Sequence, residues 1–463
     1  MTSLPKSGIH IIGIGGAGMS AIARVLIGRG YQVSGSDAKD SKRLLMLKQL
    51  GIKVSVGHQA ENLTGVKLVV ASTAVPATNI EIATAKELNI PVISRAEALA
   101  LIVADSKVIA VAGTHGKTTT TSMTTVALQS LGLDPSFIIG SELNETGSNG
   151  HHGESEIFLV EADESDGTFL WLKPQIGVIT NIEADHLDRW ESLNEIANAF
   201  YEFGMSCELG VVSCADDNGA AEIAMRLQQA GKQVFNYGFA DSAVLQLRNA
   251  TVDDGKWKVD LYLHQEYVGA LSLQVPGKHN LLNAAAAISV GILLNFELGE
   301  LISGLAEFSG TRRRFEHRGT ANGVKVYDDY AHHPTEVMAT LSAARAVVGS
   351  GNVVVVFQPF RYYRVAAFLP QFAAALGLAD RVVVMETYAP GESAIPGAGG
   401  AAVAAAIDLA PENVTFEPSF LKVVDLIAAW TKPGDIVLTL GAGDMAMLAP
   451  EIVAGLKQAE DEK

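Results

Sequence analysis

Short β-branched and apolar runs alternate with longer helix-like patterns along nearly the whole of this 463-residue chain. That rhythm constrains the fold more than any other feature. Successive strands separated by helix-length segments pair in parallel, and a parallel sheet must be covered by helices on both faces. The reading is α/β, in three blocks: residues 1–105, 106–315 and 316–463. At ~100–200 residues per domain the length accommodates three. The first block shows strands at 9–14, 31–35, 53–56 and 68–72, with helices at 17–29 and 41–50. In the second, strands at 107–112, 137–140, 157–162, 176–181 and 210–213 give way to period-two alternation over 244–275, which predicts antiparallel hairpins around Asp253-Asp254-Gly255. A helix over 280–294 follows. Residues 310–319 are Arg-rich and unpatterned and read as a linker. The third block restarts with strands at 324–328, 352–357, 381–386 and 436–440.

Charge narrows the partners. Thirty-four Lys and Arg stand against 51 Asp and Glu, a formal net charge of −17. With no basic run to offset it, this balance argues against general affinity for nucleic acid or anionic lipid. No apolar run reaches the ~18 residues of a membrane span, and the first dozen residues do not read as a signal peptide. Cys207 and Cys214 are too far apart for a redox pair or half a zinc site, so two buried thiols are expected.

The turns at the strand ends carry the chemistry. Gly13-Ile14-Gly15-Gly16-Ala17-Gly18 follows a strand and opens a helix, where backbone N–H groups can approach a pyrophosphate. Asp37, ending the next strand, can accept hydrogen bonds from a ribose. On these residues alone a dinucleotide site and a ligand-free tight turn both remain open. The second loop, Gly113-Thr114-His115-Gly116-Lys117-Thr118-Thr119, lies between a strand and a helix. Its amides can wrap phosphates, Lys117 can reach the β and γ oxygens, and the Thr118 hydroxyl can ligate Mg²⁺. Val111 stands where a strict GxxxxGK[ST] loop has its first glycine. An exposed Lys among Gly and Thr is poor helix-start chemistry unless an anion docks there.

Two acidic segments follow apolar strands. After residues 157–160 come Glu161, Asp163, Glu164 and Asp166, in the place where phosphate-loop folds keep a Mg²⁺ carboxylate; Glu161 is expected to point into the site. Residues 181–188 (NIEADHLD) carry His186, which reads either as a structural histidine or as a metal or substrate contact. In the third block, Tyr327-Asp328-Asp329-Tyr330-Ala331-His332-His333 and Gln358-Pro359-Phe360-Arg361-Tyr362-Tyr363-Arg364 both leave the carboxyl edge of a sheet. Two Arg at this spacing suit a carboxylate or a phosphate.

Together these segments resemble the Mur ligase family, the ATP-dependent amide-forming enzymes of peptidoglycan synthesis. Residues 113–118 match that family's ATP loop, which accounts for the missing first glycine. Residues 13–20 (GIGGAGMS), 71–76 (ASTAVP), 161–166 (EADESD), 181–188, 328–336 (DDYAHHPTE) and 358–364 extend the match across all three blocks. The resemblance implies a Rossmann-like N-terminal domain that holds UDP-N-acetylmuramate through Gly13, Gly15, Gly16, Gly18, Asp37, Ser72 and Thr73. It implies a central phosphate-loop ATPase-like domain and a C-terminal Rossmann-like domain that helps bind L-alanine. By the same resemblance ATP meets Gly113 to Thr119. Thr118 and Glu161 hold one Mg²⁺ and His186 a second, with Mn²⁺ as the alternative metal. His279, Asn280 and Asn283 match a GKHNxxNA segment whose Asn side chains face the adenine. Arg314 and Asp329 close over the nucleotide, and Tyr330, His332, Arg361 and Arg364 line the amino-acid side. Phe360 departs from the pattern, since the family commonly has His there.

The implied product is an amide on the muramoyl carboxylate, made in the cytoplasm by a monomer or homodimer. Two other readings stay open: a ligase that recycles a whole tripeptide onto the same sugar nucleotide, and a nucleotide-binding oxidoreductase. The oxidoreductase leaves the second loop and the acidic strand end unexplained.

Overall fold

The computed structural model describes residues 3–185, 190, 192–253 and 256–461. The alternating pattern closes into three sheets. The first comprises β1 (Ile9–Ile12), β2 (Val33–Asp37), β3 (Lys53–Val56), β4 (Leu68–Ala71) and β5 (Val92–Ser94), in the order β3-β2-β1-β4-β5. Ile9, Ile11 and Ile12 are fully buried, as a central strand covered on both faces requires. Parallel pairing of β1 with β2 and β4 brings Asp37 and Ser72 to the same edge as the first glycine loop. β1 ends at Ile12, two residues earlier than the pattern suggested, because the chain turns at Gly13 (φ +78°).

The second sheet contains β6 (Lys107–Ala112), β7 (Ser136–Ile138), β8 (Gly150–His151), β9 (Ile157–Glu161), β10 (Ile176–Ile179), β11 (Gly210–Cys214), β12 (Val234–Gly238), β13 (Leu245–Asp253), β14 (Lys256–Leu263) and β15 (Glu266–Leu273). Its order is β15-β14-β13-β12-β11-β10-β6-β9-β7-β8. β6 runs parallel between β9 and β10, with Val111 opposite Glu161 and Ala112 opposite Ile179. The second loop therefore opens between the two acidic segments. The turn expected around Asp253-Asp254-Gly255 falls on residues 254–255, which lie outside the described residues. Further along the same stretch His264 and Gln265, both at positive φ, join β14 to β15; a two-residue link is available only to antiparallel neighbours.

The third sheet holds β16 (Glu316–Ala321), β17 (Val324–Asp329), β18 (Val353–Gln358), β19 (Arg381–Val384), β20 (Val414–Phe416) and β21 (Ile436–Gly441), in the order β16-β17-β21-β18-β19-β20. Successive residues of β18 feed two cores: Val353, Val355 and Phe357 on one face, Val354 and Val356 on the other. One expectation is corrected here. The second half of the supposed linker is β16, an antiparallel edge strand paired Glu316 to Asp328 and Ala321 to Val324. Charged residues suit an edge open to water, and they conceal the alternation that marks a strand.

The chain forms two compact units. One comprises Met1–Ala250, Val259–Ser272 and Leu282–Phe308; the other comprises Thr251–Lys258, Leu273–Leu281 and Ser309–Lys463. Cys207 and Cys214 are free and buried, as expected. Among the described residues no helix is long and apolar enough to cross a membrane.

Candidate active site

The second loop turns through Gly113 (φ +130°) and Gly116 (φ +82°) into helix Lys117–Ser130. A side chain at either glycine would collide: a Cβ on Gly113 would lie 2.0 Å from Thr180 Oγ1, and one on Gly116 2.6 Å from Asn283 Oδ1. The loop is pinned from the neighbouring strand end. The Thr114 N–H donates to Asn181 O, the His115 N–H to Asn181 Oδ1 (2.8 Å), and the Glu183 N–H to Thr114 Oγ1 (2.9 Å). His115 Nε2 lies 3.6 Å from Glu183. The helix that follows is buried although it is rich in Thr, because Thr121, Thr124 and Thr125 return their hydroxyls to carbonyls one turn back. Thr119 is buried in the first turn, and Thr120 donates to Asn283 Oδ1 at 3.2 Å.

Lys117 is not the exposed cation expected from its neighbours. Its Nζ donates to Gly113 O (2.6 Å), Thr114 O (3.2 Å) and both Glu164 oxygens (3.1 and 2.8 Å). Burial pushes the lysine pKa down, but Glu164, Asp163 and Glu161 outweigh it and hold the ammonium above the usual lysine range. Burial pushes the Glu164 carboxyl up to about 7 against the pull of Lys117, and the ammonium keeps the proton of the pair. Glu161 does point inward: Oε1 accepts from the Thr118 hydroxyl (3.0 Å) and Oε2 from the Gly140 N–H (2.6 Å). His186 lies outside the described residues.

The first loop and this acidic strand end share one cavity of about 300 Å³. Gly16, Gly18, Ser72 and Thr73 line one side, with Glu161 and Asp163 opposite. The Gly15 N–H donates to Asp37 Oδ2 at 2.9 Å, so that carboxylate braces the loop; Gly13 forms the turn before it. Arg95, which the motif reading passed over, stands between the two walls. Its Nε and Nη2 reach Asp166 Oδ2 at 2.8 and 2.7 Å, and Nη2 also reaches Thr168 Oγ1 at 3.0 Å. A signal for it exists in the sequence. Ser94 and Glu97 form a capping box that starts helix Arg95–Val103 at the sheet's carboxyl edge, which puts Arg95 in the first turn.

The second compact unit gathers the remaining candidates, apart from Asn283. Asp329 is buried and accepts from the Phe315 and Ala331 N–H groups (2.9 and 2.8 Å) and the Thr340 hydroxyl (3.1 Å). Burial, only partly offset by Arg314, pushes its carboxyl up to about 6. Arg314 pairs loosely with Glu336 at 3.7 Å. His279 is exposed, and the Asn280 amide donates to Pro276 O (2.6 Å). The Tyr330 ring lies against His332, and His332 against Phe360. Arg361 bonds Glu392 at 2.9 Å, and Arg364 is buried beside the Phe360 and Tyr363 rings. Tyr330, His332, Arg361 and Arg364 are thus brought together as expected.

Three models of one family match the chain in succession: Mur ligase family, catalytic domain, over residues 8–107; Mur ligase middle domain over 111–291; and Mur ligase, glutamate ligase domain, over 313–443. A UDP-N-acetylmuramate–L-alanine ligase of Acidothermus cellulolyticus is 49% identical over 452 residues, covering 97% of this chain and 95% of the relative. Its counterpart from Saccharopolyspora erythraea is 48% identical over 467 residues, covering 97% and 93%. The crystal structure of a UDP-N-acetylmuramate–alanine ligase from Thermotoga maritima matches with a TM-score of 0.84 at 29% identity, over 98% of this chain and 99% of that one. A murein peptide ligase from Psychrobacter arcticus matches over the same shares at 0.71 and 23%, a likeness of fold.

Proposed function

The chain belongs to the Mur ligase family, and from that premise we infer that it joins L-alanine to the carboxylate of UDP-N-acetylmuramate at the expense of ATP, in peptidoglycan precursor synthesis. The observation that carries this reading is the shared cavity, where the first glycine loop faces the carboxylates beside the phosphate loop. A sugar nucleotide held at residues 13–18 can thereby present its acid to a nucleotide held at residues 113–119. We assign residues 1–105 to the sugar nucleotide, 106–315 to ATP and 316–463 to the amino acid.

The chemistry follows from leaving-group quality. A carboxylate cannot expel oxide, so an oxygen of the muramoyl carboxylate first attacks the γ-phosphorus. The bond from that phosphorus to the β-phosphate oxygen breaks, releasing ADP and leaving an acyl phosphate. The neutral amine of L-alanine then adds to the carbonyl carbon and loses a proton, and collapse of the tetrahedral intermediate expels phosphate and leaves the amide. Both partners in the first step are anionic, so positive charge must stand between them. Lys117 supplies one such charge, released from Glu164 toward the phosphates, and the N-terminus of helix Lys117–Ser130 adds its amides. The Thr118 hydroxyl and the Glu161 carboxylate, 3.0 Å apart with Asp163 nearby, are hard oxygen donors that fit Mg²⁺. Bound there, Mg²⁺ would offset charge on the triphosphate. Arg361 and Arg364 take the amino-acid carboxylate.

The test is phosphate release that requires UDP-N-acetylmuramate, with L-alanine compared against a tripeptide. Turnover with L-alanine alone is expected. Preference for the tripeptide would move the chain to the recycling activity, and hydride exchange with NADH in place of phosphate release would move it to the oxidoreductases.

A further inference from the structure

Beyond the end of β18, Phe360 is the hub of an aromatic array. Its ring meets His332 edge-on at 5.6 Å and stacks on Tyr388 at 6.1 Å, with 27° between the planes. The guanidinium carbons of Arg361 and Arg364 lie 5.2 and 5.6 Å from its centroid. The array is held rigidly from behind. The Tyr388 N–H donates to Pro359 O, and the Arg361 N–H to Tyr388 O. Glu392 accepts from Arg361 through one oxygen and from the Tyr362 N–H through the other, both at 2.9 Å. Arg361 sits at φ +72°, ψ 125°, a conformation that a residue with a Cβ keeps only when its surroundings enforce it. Phe360 itself stays half-buried, whereas Arg364 beside it is 1% exposed. The ring is therefore an apolar wall, fixed in place and partly open, next to two carboxylate-binding groups.

We propose that Phe360 is a specificity-determining residue, the wall against which the α-substituent of the incoming amino acid packs. This rests on the reading that Arg361 and Arg364 take the amino-acid carboxylate. In an α-amino acid the carboxylate carbon is bonded directly to the α-carbon. A carboxylate held at either guanidinium thus brings the α-substituent to the ring. The methyl of L-alanine is buried there at no polar cost. The hydroxymethyl of L-serine would lose water and find no partner on a phenyl ring, and glycine would leave the contact unfilled.

The experiment measures kcat/KM for L-alanine, L-serine and glycine at saturating ATP and UDP-N-acetylmuramate, for wild type, Phe360→His, Phe360→Gln and Phe360→Leu. Phe360→His keeps a planar ring and adds hydrogen-bonding nitrogens, so the serine-to-alanine ratio should rise roughly tenfold while the KM values for ATP and the sugar nucleotide stay within about twofold. Phe360→Gln carries the same expectation if the histidine variant does not fold. Phe360→Leu keeps the wall apolar and should keep the wild-type ratio. An unchanged ratio in a polar variant that still uses L-alanine overturns the proposal alone, as does a leucine variant that admits serine as readily as histidine does. Wild type that turns over none of the three amino acids overturns the functional reading and this proposal together.

Discussion

Replacing Lys117 with Met separates what that side chain does for chemistry from what it does for the fold. Its Nζ is 2.8 Å from Glu164, and the side chains are 12% and 3% exposed. At an effective dielectric of about 20 the pair attracts by ~6 kcal/mol. Withdrawing both ions from water costs several kcal/mol each, so the net contribution is near zero. Removing one partner is different, since a bare buried carboxylate would cost about 3–5 kcal/mol. Glu164 has an escape, because burial already lifts it to about 7 with the lysine present. In the variant it takes a proton, which holds the loss at pH 7 to roughly 3 kcal/mol. The sign of the pH dependence follows. An acid whose folded-state pKa is raised contributes stability that is complete below its ordinary value of 4.5 and lost as pH rises through the folded value. Above about pH 8 the wild-type carboxyl has finished titrating, whereas the variant keeps losing about 1.4 kcal/mol per unit. Thermal unfolding of Lys117→Met from pH 7 to 9 should therefore drop by about 3–5 °C more than wild type. Turnover should fall by on the order of 10²–10³. UDP-N-acetylmuramate binding, measured by calorimetry, should change little. Near wild-type phosphate release would refute the role of the ammonium, and parallel melting curves across this pH range would refute the pairing argument.

Glu161→Gln should raise the Mg²⁺ needed for half-maximal turnover roughly tenfold, because an amide binds a hard cation less well; an unchanged titration would make Glu161 a structural brace for Thr118 and Gly140. Arg364→Lys should raise the KM for L-alanine by tenfold or more and leave that for ATP nearly unchanged, since Lys cannot reproduce a two-pronged contact; the reverse pattern would assign the loop to phosphate. Glu81 is fully buried, and although burial pushes its carboxyl up, hydrogen bonds from His10, Ser36 and Asn62 hold it at about 2. Such a group stabilises above 4.5 and loses that contribution as pH falls toward 2, so Glu81→Gln should cost about 3 kcal/mol at pH 7 and flatten the acid limb of the stability curve. Coincident acid limbs for wild type and variant, followed by calorimetry, would contradict it.

The α/β class, most of the strands and the loops that leave their carboxyl ends were legible in the residue order, because each rests on local properties. A short apolar run marks a buried strand, and glycine marks a turn that no Cβ can enter. Residues 113–119 and 161–166 were readable for the same reason. Some elements whose residues face water were not. β16 looked like a linker because an edge strand tolerates Glu, His and Arg, and β12 passed unnoticed because three of its five residues are only partly buried. The partners of the site residues lay further out of reach. Lys117 looked exposed until β9 brought Glu164, 47 positions away, against it. Arg95 acquired a purpose only beside Asp166, and Phe360 only beside His332 and Tyr388. Sequence sets the propensity of each segment and the chemistry of each side chain. Which buried charges face one another is decided when parallel strands close at a single register, and that closure depends on the whole sheet rather than on any stretch of it.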